Sequence, residues 1–399
     1  LERSSTGAGD AIAVNYAVDT TPWSGPGAAL VPDDVRLQVN ANHDAFGAYV
    51  EHLLTGAAPG DFAAELGAYV LNRPDAGSLL GTYGNLISEE TFAATDATRL
   101  SALRFADRLN SCGRRGEDGS IAFDEEGSCG WASVEGRYLE RDGSSAGPAY
   151  DERLFGLSAG AQVKVGDGLF LGAALGWETS SLSFDSASGD VDRIQAGVVG
   201  KLELGATTIA TSIGGGWYGT SLDRMVVTPG GVVTAQGDTD GGFLAAHARV
   251  DHRFEVGSIY LKPTADLGIT YLSQGAYDET GAGGYGLSIG SLDATTVSFN
   301  PFLEVGGVFT IGGMKANASV RGGVLALFGD DPSVEASFVG LPVGPNFAII
   351  DDDESLFADI GAAIDMAVSD RLTVKGSVDA LLSGDEQSVG AALRLKLAF

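Results

Sequence analysis

Sulfur and imidazole are scarce in this chain, whose 399 residues include two cysteines, three methionines and four histidines. A metal centre is not expected, because His43, His52, His247 and His252 offer no ligand spacing with Cys112 and Cys129. Cations are few as well: 24 Lys and Arg stand against 53 Asp and Glu, and the formal net charge of −29 argues against a basic footprint for nucleic acid. No apolar run reaches the about 18 residues that a membrane-spanning helix needs. The start has no initiator Met, charged leader or apolar signal core, so the chain reads as a mature portion of something longer, with Leu1-Glu2 as a vector remnant. Catalytic signatures are thin too. Gly214-Gly-Gly216 and Gly283-Gly-Tyr-Gly286 lack the Lys and the strand–loop–helix setting of a phosphate cradle, and a nucleophile elbow is not expected.

What is abundant is Gly, at 59 positions, in a chain that is only 19% charged and otherwise rich in Ala, Ser, Thr, Val, Leu and Asp. Such a blend suits strands with one apolar and one polar face. The pattern changes near Trp131. Upstream it is helical: an amphipathic run follows Asp33 and Asp34 through Phe46, Tyr49, Val50, Leu53 and Leu54 and ends at Gly56. A second run spans Asp61 to Leu71 before Pro74, and a third follows the N-cap candidate Ser88 to Leu109. Before them, Ala11–Val18 resembles one short strand ahead of a Pro/Gly-rich linker.

Downstream of Trp131 the period becomes two and stays two almost to the end. Val389, Ala391, Leu393, Leu395, Leu397 and Phe399 alternate with Ser388, Gly390, Ala392, Arg394, Lys396 and Ala398. Residues 259–271 set Ile259, Leu261, Leu267 and Ile269 against Lys262, Thr264, Asp266 and Thr270. Twelve such segments begin near Trp131, Tyr150, Leu169, Val191, Thr207, Gly242, Ser258, Thr295, Met314, Glu354, Arg371 and Gln387. Each is long enough to cross a bilayer as a tilted strand, which takes about 9–11 residues. Tight connections, such as those at Gly166-Asp-Gly168 and Gly312-Gly313, alternate with longer ones near 141–149, 184–190, 224–241, 274–294 and 330–353. That asymmetry is the signature of an outer-membrane barrel, and an even strand count places Phe399 at the short-turn, periplasmic rim. Trp177, Trp217, Tyr218, Tyr138 and Tyr271 suit interfacial girdles. A soluble β-sandwich would also alternate. The charges deep within the polar faces, among them Lys201, Arg249 and Lys375, and the Ala- and Leu-rich apolar faces favour the barrel.

Over residues 85–399 the chain resembles the translocator domains of autotransporters, the type V secretion proteins. The resemblance rests on the helix end Leu103-Arg-Phe-Ala-Asp-Arg-Leu109, the barrel opening at Trp131 and Gly156-Leu-Ser-Ala-Gly-Ala-Gln162. It continues in Leu171-Gly-Ala-Ala-Leu-Gly-Trp177, Asn300-Pro-Phe-Leu-Glu-Val305 and the terminal Phe399. It implies a mainly β fold: a twelve-stranded antiparallel transmembrane β-barrel, preceded by an α-helical segment with one helix in the lumen. The expected divisions are a passenger remnant at 1–32, a helical linker at 33–87, a lumen helix at 88–110, a Cys-flanked loop at 111–130 and the barrel at 131–399. Leu395, Leu397 and Phe399 would form the assembly signal, although Arg394 stands where the family has a small residue.

The resemblance implies an anchor and exporter of an N-terminal passenger rather than an enzyme, with no cofactor. Its partners would be outer-membrane lipid and lipopolysaccharide, the barrel assembly machinery, periplasmic chaperones and its own passenger, with no nucleic acid, and it would act as a monomer. Arg99, Arg104, Asp107 and Arg108 on the helix are expected to meet Glu203, Asp266, Glu304, Arg321 and Lys375 on the wall. The alternative leaves the helix in a separate helical module on a passive porin-type or adhesin-type barrel. Cys112 and Cys129 would close a disulfide in an oxidising periplasm, worth about 3 kcal/mol, or stay two thiols. His247 reads as a solvated lumen residue, Asp351–Glu354 as a solvated charge run or a cation site, and Asn110 as the one residue at the helix end suited to self-cleavage.

Overall fold

The computed structural model describes residues 20–23, 31–33, 39–55, 61–109, 112–115, 121–143, 147–329, 331–341, 344–351 and 356–399. The expected strand at 11–18, Asn110 and residues 352–354 lie outside them. Twelve long strands build the wall: β1 (Cys129–Arg141), β2 (Tyr150–Gly166), β3 (Leu169–Ser183), β4 (Ala187–Leu204), β5 (Thr207–Thr228) and β6 (Gly231–His252). They continue with β7 (Ile259–Gln274), β8 (Leu292–Ile311), β9 (Met314–Gly329), β10 (Leu356–Ala367), β11 (Leu372–Leu382) and β12 (Glu386–Ala398). Each pairs antiparallel with its chain neighbours, and β12 closes on β1 from Glu386↔Arg141 to Ala398↔Cys129. Closure leaves no backbone edge in lipid, where an unmet N–H or C=O costs several kcal/mol.

Alternation then sorts the side chains. Leu175, Ile194 and Leu244 point to lipid, whereas Lys201, Arg193 and Glu178 on the same or neighbouring strands point in and are buried. Parity also corrects one expected girdle residue: Trp217 faces out, so the next residue, Tyr218, faces in and is wholly buried. The outward aromatics pair across strands with carboxylates. Tyr138 donates to Asp151 at 2.7 Å, Trp217 to Asp240 at 3.2 Å and Tyr271 to Asp293 at 2.6 Å. These pairs mark one margin of the apolar band, near the long loops.

The tight turns sit at the other end, and Gly168 shows why glycine recurs there. Its φ of 65° lies in the left-handed region that glycine adopts without a Cβ penalty, beside an irregularity in the pairing between Lys164 and Gly166. At the long-loop end the expected loop at 224–241 is largely strand. Met225-Val-Val and Val232-Val233 extend β5 and β6 to a tip at Pro229-Gly230. The connections 275–291 and 330–355 contribute Tyr277–Asp278, Leu287–Ile289, Ser333–Phe338 and Phe347–Ile350, which join as a small four-stranded sheet.

Upstream lie α1 (Ala41–Thr55), α2 (Asp61–Leu71), α3 (Ala76–Leu86), a 3-10 turn (Glu89–Phe92) and α4 (Ala93–Leu109). The sequence reading has no counterpart for α3, whose apolar spacing is diluted by Gly77, Gly81 and Gly84. Its start is nevertheless capped, because the Asp75 carboxylate accepts the Ser78 N–H at 2.7 Å. Helices α1 to α3 pack on the small loop sheet and the β5–β6 hairpin as one apolar core, here called the cap. Phe46 stacks edge-on with Tyr83 at 4.9 Å and with Phe347 at 5.0 Å. Two asparagines stitch helix to strand: Asn42 meets both backbone groups of Ile350, and Asn85 meets Met225 O and Val227 N. Trp23, ahead of α1, is buried in the same core and donates to Asp44 at 2.7 Å.

Candidate functional site: the barrel lumen

Helix α4 descends from the cap into the barrel, 17 residues that span about 26 Å at 1.5 Å each. It starts at Ala93, after the 3-10 turn, rather than at 88 as expected. The helix leans on the wall made by β3 to β7. A socket of glycines permits the approach: an added Cβ at Gly176 would sit 3.2 Å from the Phe105 ring, and one at Gly197 would sit 3.1 Å from that ring and 3.0 Å from Leu109. Gly214 borders the same ring.

The first turns of α4 are dry. Apolar wall residues such as Leu139, Tyr150, Tyr218 and Phe357 surround Ala93, Ala94, Leu100 and Ala102. The charges at this level are buried and paired. Arg193 donates to Thr98 at 2.8 Å and reaches Glu152 at 3.4 Å, while Arg141 bridges Asp96 at 3.3 Å and Asp351 at 3.1 Å. A uniformly polar lumen is therefore not what the helix meets, because period-two alternation also carries large apolar residues inward near the long loops.

The last turn of α4 is polar and reads both sides of the wall. Asp107 pairs with Arg249 and, at 3.4 Å, with Arg321. Arg108 pairs with Glu135 at 2.6 Å and Glu178 at 2.9 Å, and Glu178 also accepts a short hydrogen bond from Ser101. Arg104 donates to Ser388 at 3.0 Å, and Arg99 lies 4.0 Å from Asp96 one turn back.

Of the wall residues expected at the helix, Arg321 touches it, and Asp266 holds Arg249 against Asp107 at 2.5 Å. Glu304 instead takes Lys262 at 3.4 Å and Tyr260 at 2.8 Å, Lys375 faces Asp365 at 3.8 Å, and Glu203 lines the cavity near the tight turns. These three lie deeper toward the short-turn end, where the tilt of the helix leaves space. The partners Glu135, Glu178 and Arg249 were not singled out for the helix. Their signal was available, since each is an inward-facing charge on a strand with an outward apolar face.

Between the last turn of α4 and the wall lies a cavity of about 590 Å³. It runs from Leu100, Leu325 and Leu381 to Gly205, Ala206 and Glu255 at the short-turn rim, and His247 lines it. Beyond α4 the chain turns through a hairpin of Gly113–Arg115 and Ile121–Glu126. Glu126 accepts from Lys201 at 2.9 Å and from Gln162 at 2.8 Å, which draws the hairpin to β2 and β4. Cys112 and Cys129 are joined as a disulfide with Cα atoms 5.8 Å apart, fastening the end of α4 to the first residue of β1. At the same rim the Phe399 N–H donates to Ser128 O, and the side chains of Leu395, Leu397 and Phe399 face outward.

One string corrects the sequence reading of catalytic motifs: Gly156-Leu-Ser158-Ala-Gly160 does spell Gly-x-Ser-x-Gly. It lies in the middle of β2, without the strand-to-helix turn that exposes a nucleophile, and Ser158 is buried on the lumen side.

No curated protein matches this sequence. Among solved structures, the translocator domain of the autotransporter NalP from Neisseria meningitidis is similar, with a TM-score of 0.61 and 17% identity over 78% of this chain and 98% of that one. The beta domain of the Bordetella autotransporter BrkA gives a TM-score of 0.50 and 18% identity over 69% of this chain and 100% of that one. At such identities the likeness speaks to the fold alone. A family model, the autotransporter beta-domain, matches residues 130–379, from β1 to β11. With more than half its length matched by that model and a closed twelve-stranded barrel around a helix, the chain belongs to the autotransporter beta-domain family.

Proposed function

We infer that the chain is the outer-membrane translocator of an autotransporter, which carries an N-terminal passenger to the cell surface and then anchors it. The observation that carries this reading is the path of the chain. It enters a closed lumen at the long-loop end as α4, leaves at the short-turn end and, after the hairpin of Gly113–Arg115 and Ile121–Glu126, becomes β1. A segment upstream of α4 therefore connects to the barrel only through the barrel. The work is not bond chemistry: the wall satisfies its own backbone in lipid, and its inward charges receive the helix.

In this reading the tight turns face the periplasm and the cap faces outward, with Leu1 at the cell surface. The outward apolar side chains of Leu395, Leu397 and Phe399 at the short-turn rim suit recognition by the barrel assembly machinery, with periplasmic chaperones holding the unfolded chain beforehand. The margin of aromatic and carboxylate pairs suits the outer leaflet, where lipid and lipopolysaccharide surround the barrel. One chain closes the wall, so a single copy suffices for this role.

An epitope tag at Leu1 tests the orientation. Antibody is expected to bind it on intact cells as strongly as on permeabilised cells. Binding only after permeabilisation would leave a periplasmic module on an ordinary pore.

A further inference from the structure

The lumen contains two unlike compartments, and the boundary between them is sharp. From Ala93 to Ala102 every residue of α4 except Arg99 is buried. Each strand from β1 to β7 and from β9 to β11 sets a buried apolar side chain around this stretch, Leu139, Tyr218, Leu272, Leu325 and Leu381 among them. The ring is level with the outer margin of the lipid band: Leu139 follows Tyr138, Tyr218 follows Trp217 and Leu272 follows Tyr271 along their strands. The ion pairs of Arg193 and Arg141 at this height are buried with their partners, so they offer water no path. The 590 Å³ cavity begins where the ring ends, at Leu100, Leu325 and Leu381, and continues to the short-turn rim.

We propose that this ring around Ala93–Ala102 is the water and ion seal of the protein, and that the charged cavity below it is a vestibule reached from the periplasm alone. An apolar constriction that fits tightly around a helix excludes water because wetting it has no hydrogen bonds to offer. The cap above the ring is then dispensable for sealing. The pairs of Asp107 and Arg108 below it fix the helix without closing the pore, since the cavity passes beside them. This inference rests on the translocator reading for its direction, outside against periplasm, and goes beyond it in assigning the seal to one layer of side chains.

The test uses the full chain. Phe46→Asp with Tyr83→Asp opens the cap, which is confirmed by protease cleavage within α1 to α3, while heat-modifiable gel mobility confirms a folded barrel. In a planar bilayer the cap-opened protein is expected to stay as non-conducting as the parent. Adding Leu325→Gly and Leu381→Gly hollows the ring and is expected to raise the current at least tenfold. Conduction by the cap-opened protein alone would overturn the proposal, and so would a hollowed ring that stays closed.

A second readout places a probe in the vestibule with Ser377→Cys, a position that lines the cavity. A maleimide too large for general porins is expected to label it in permeabilised cells, and at least tenfold less in intact cells even with the cap opened. Labelling of the cap-opened protein on intact cells would place the seal in the cap. The tag at Leu1 is read in the same cells, so an inverted barrel declares itself by that signal and is not mistaken for a failed seal.

Discussion

In the cap, Phe46, Leu66 and Tyr83 are wholly buried, whereas on the barrel Leu175, Ile194 and Ile213 are more than half exposed. The two regions draw on similar apolar residues and turn them in opposite directions because their solvents differ. The cap condenses in water, where removal of apolar surface drives folding. The barrel sits in lipid, where that drive vanishes between protein and solvent and the closed hydrogen-bond ladder governs instead. A substitution that is severe in one region should therefore be mild or irrelevant in the other.

The largest effect is expected in the cap. Phe46→Ala removes a ring packed against Tyr83, Phe338 and Phe347, and should cost the cap about 3–5 kcal/mol. Hydrogen exchange in α1 to α3 and at the β5–β6 tip packed with them should rise accordingly, while the rest of β1 to β12 keeps its protection. Equal loss of protection in the strands would mean that the two regions fold as one unit. On the barrel, Leu175→Arg puts a cation on the lipid face and should cost about 2–4 kcal/mol, read by denaturant titration in lipid vesicles. The cap amides should not change.

The seam between the regions has its own signature. Burial pushes the Glu90 carboxyl up to about 7 from an ordinary 4.5, with the nearby Arg224 guanidinium opposing and Glu89 and Glu279 adding to the rise. A group with a raised folded-state pKa contributes its stability below the unfolded value and loses it as the pH climbs. Cap stability should therefore fall between about pH 4.5 and pH 7 and then level off, by up to about 3 kcal/mol. In Glu90→Gln the fall should disappear from the exchange rates of α3 and the 3-10 turn. The smallest effect is expected at Asn85→Ala, which removes two partly exposed bonds to the β5–β6 hairpin, 2.9 Å to Met225 O and 2.7 Å from Val227 N. A loss of about 1–2 kcal/mol should appear as faster exchange at Val227 alone.

The same comparison explains what the sequence made legible. Barrel strands in lipid must alternate, so Leu395, Leu397 and Phe399 against Arg394 and Lys396 announce both the strand and its faces. The long β5–β6 hairpin was harder. Beyond Trp217 it stands in water, and there burial still alternates but residue type no longer announces it, since Arg224 is buried beside Val226 while Met225 and Val227 are exposed. The cap was least legible, because α3 hides its apolar face among glycines and half its core comes from loops distant in sequence, such as Phe338 and Phe347. At the site, the helix charges Arg104, Asp107 and Arg108 were readable from their place before the barrel. Their partners depend on the tilt of α4 toward β3 to β7, and that tilt follows from a glycine socket spread over three strands.

The crosslink at the foot of α4 has a mechanical meaning. A pull on the exported passenger travels down the helix axis and reaches Cys112, where the disulfide passes the tension straight to Cys129 at the base of β1. The intervening hairpin carries none of that load and cannot be drawn out as slack. Tension is thus delivered along β1, in shear against the ladders to β2 and β12, the direction in which a sheet resists best because many hydrogen bonds must break together. The cap, loaded at its upstream end, would unravel first and leave the anchor in place.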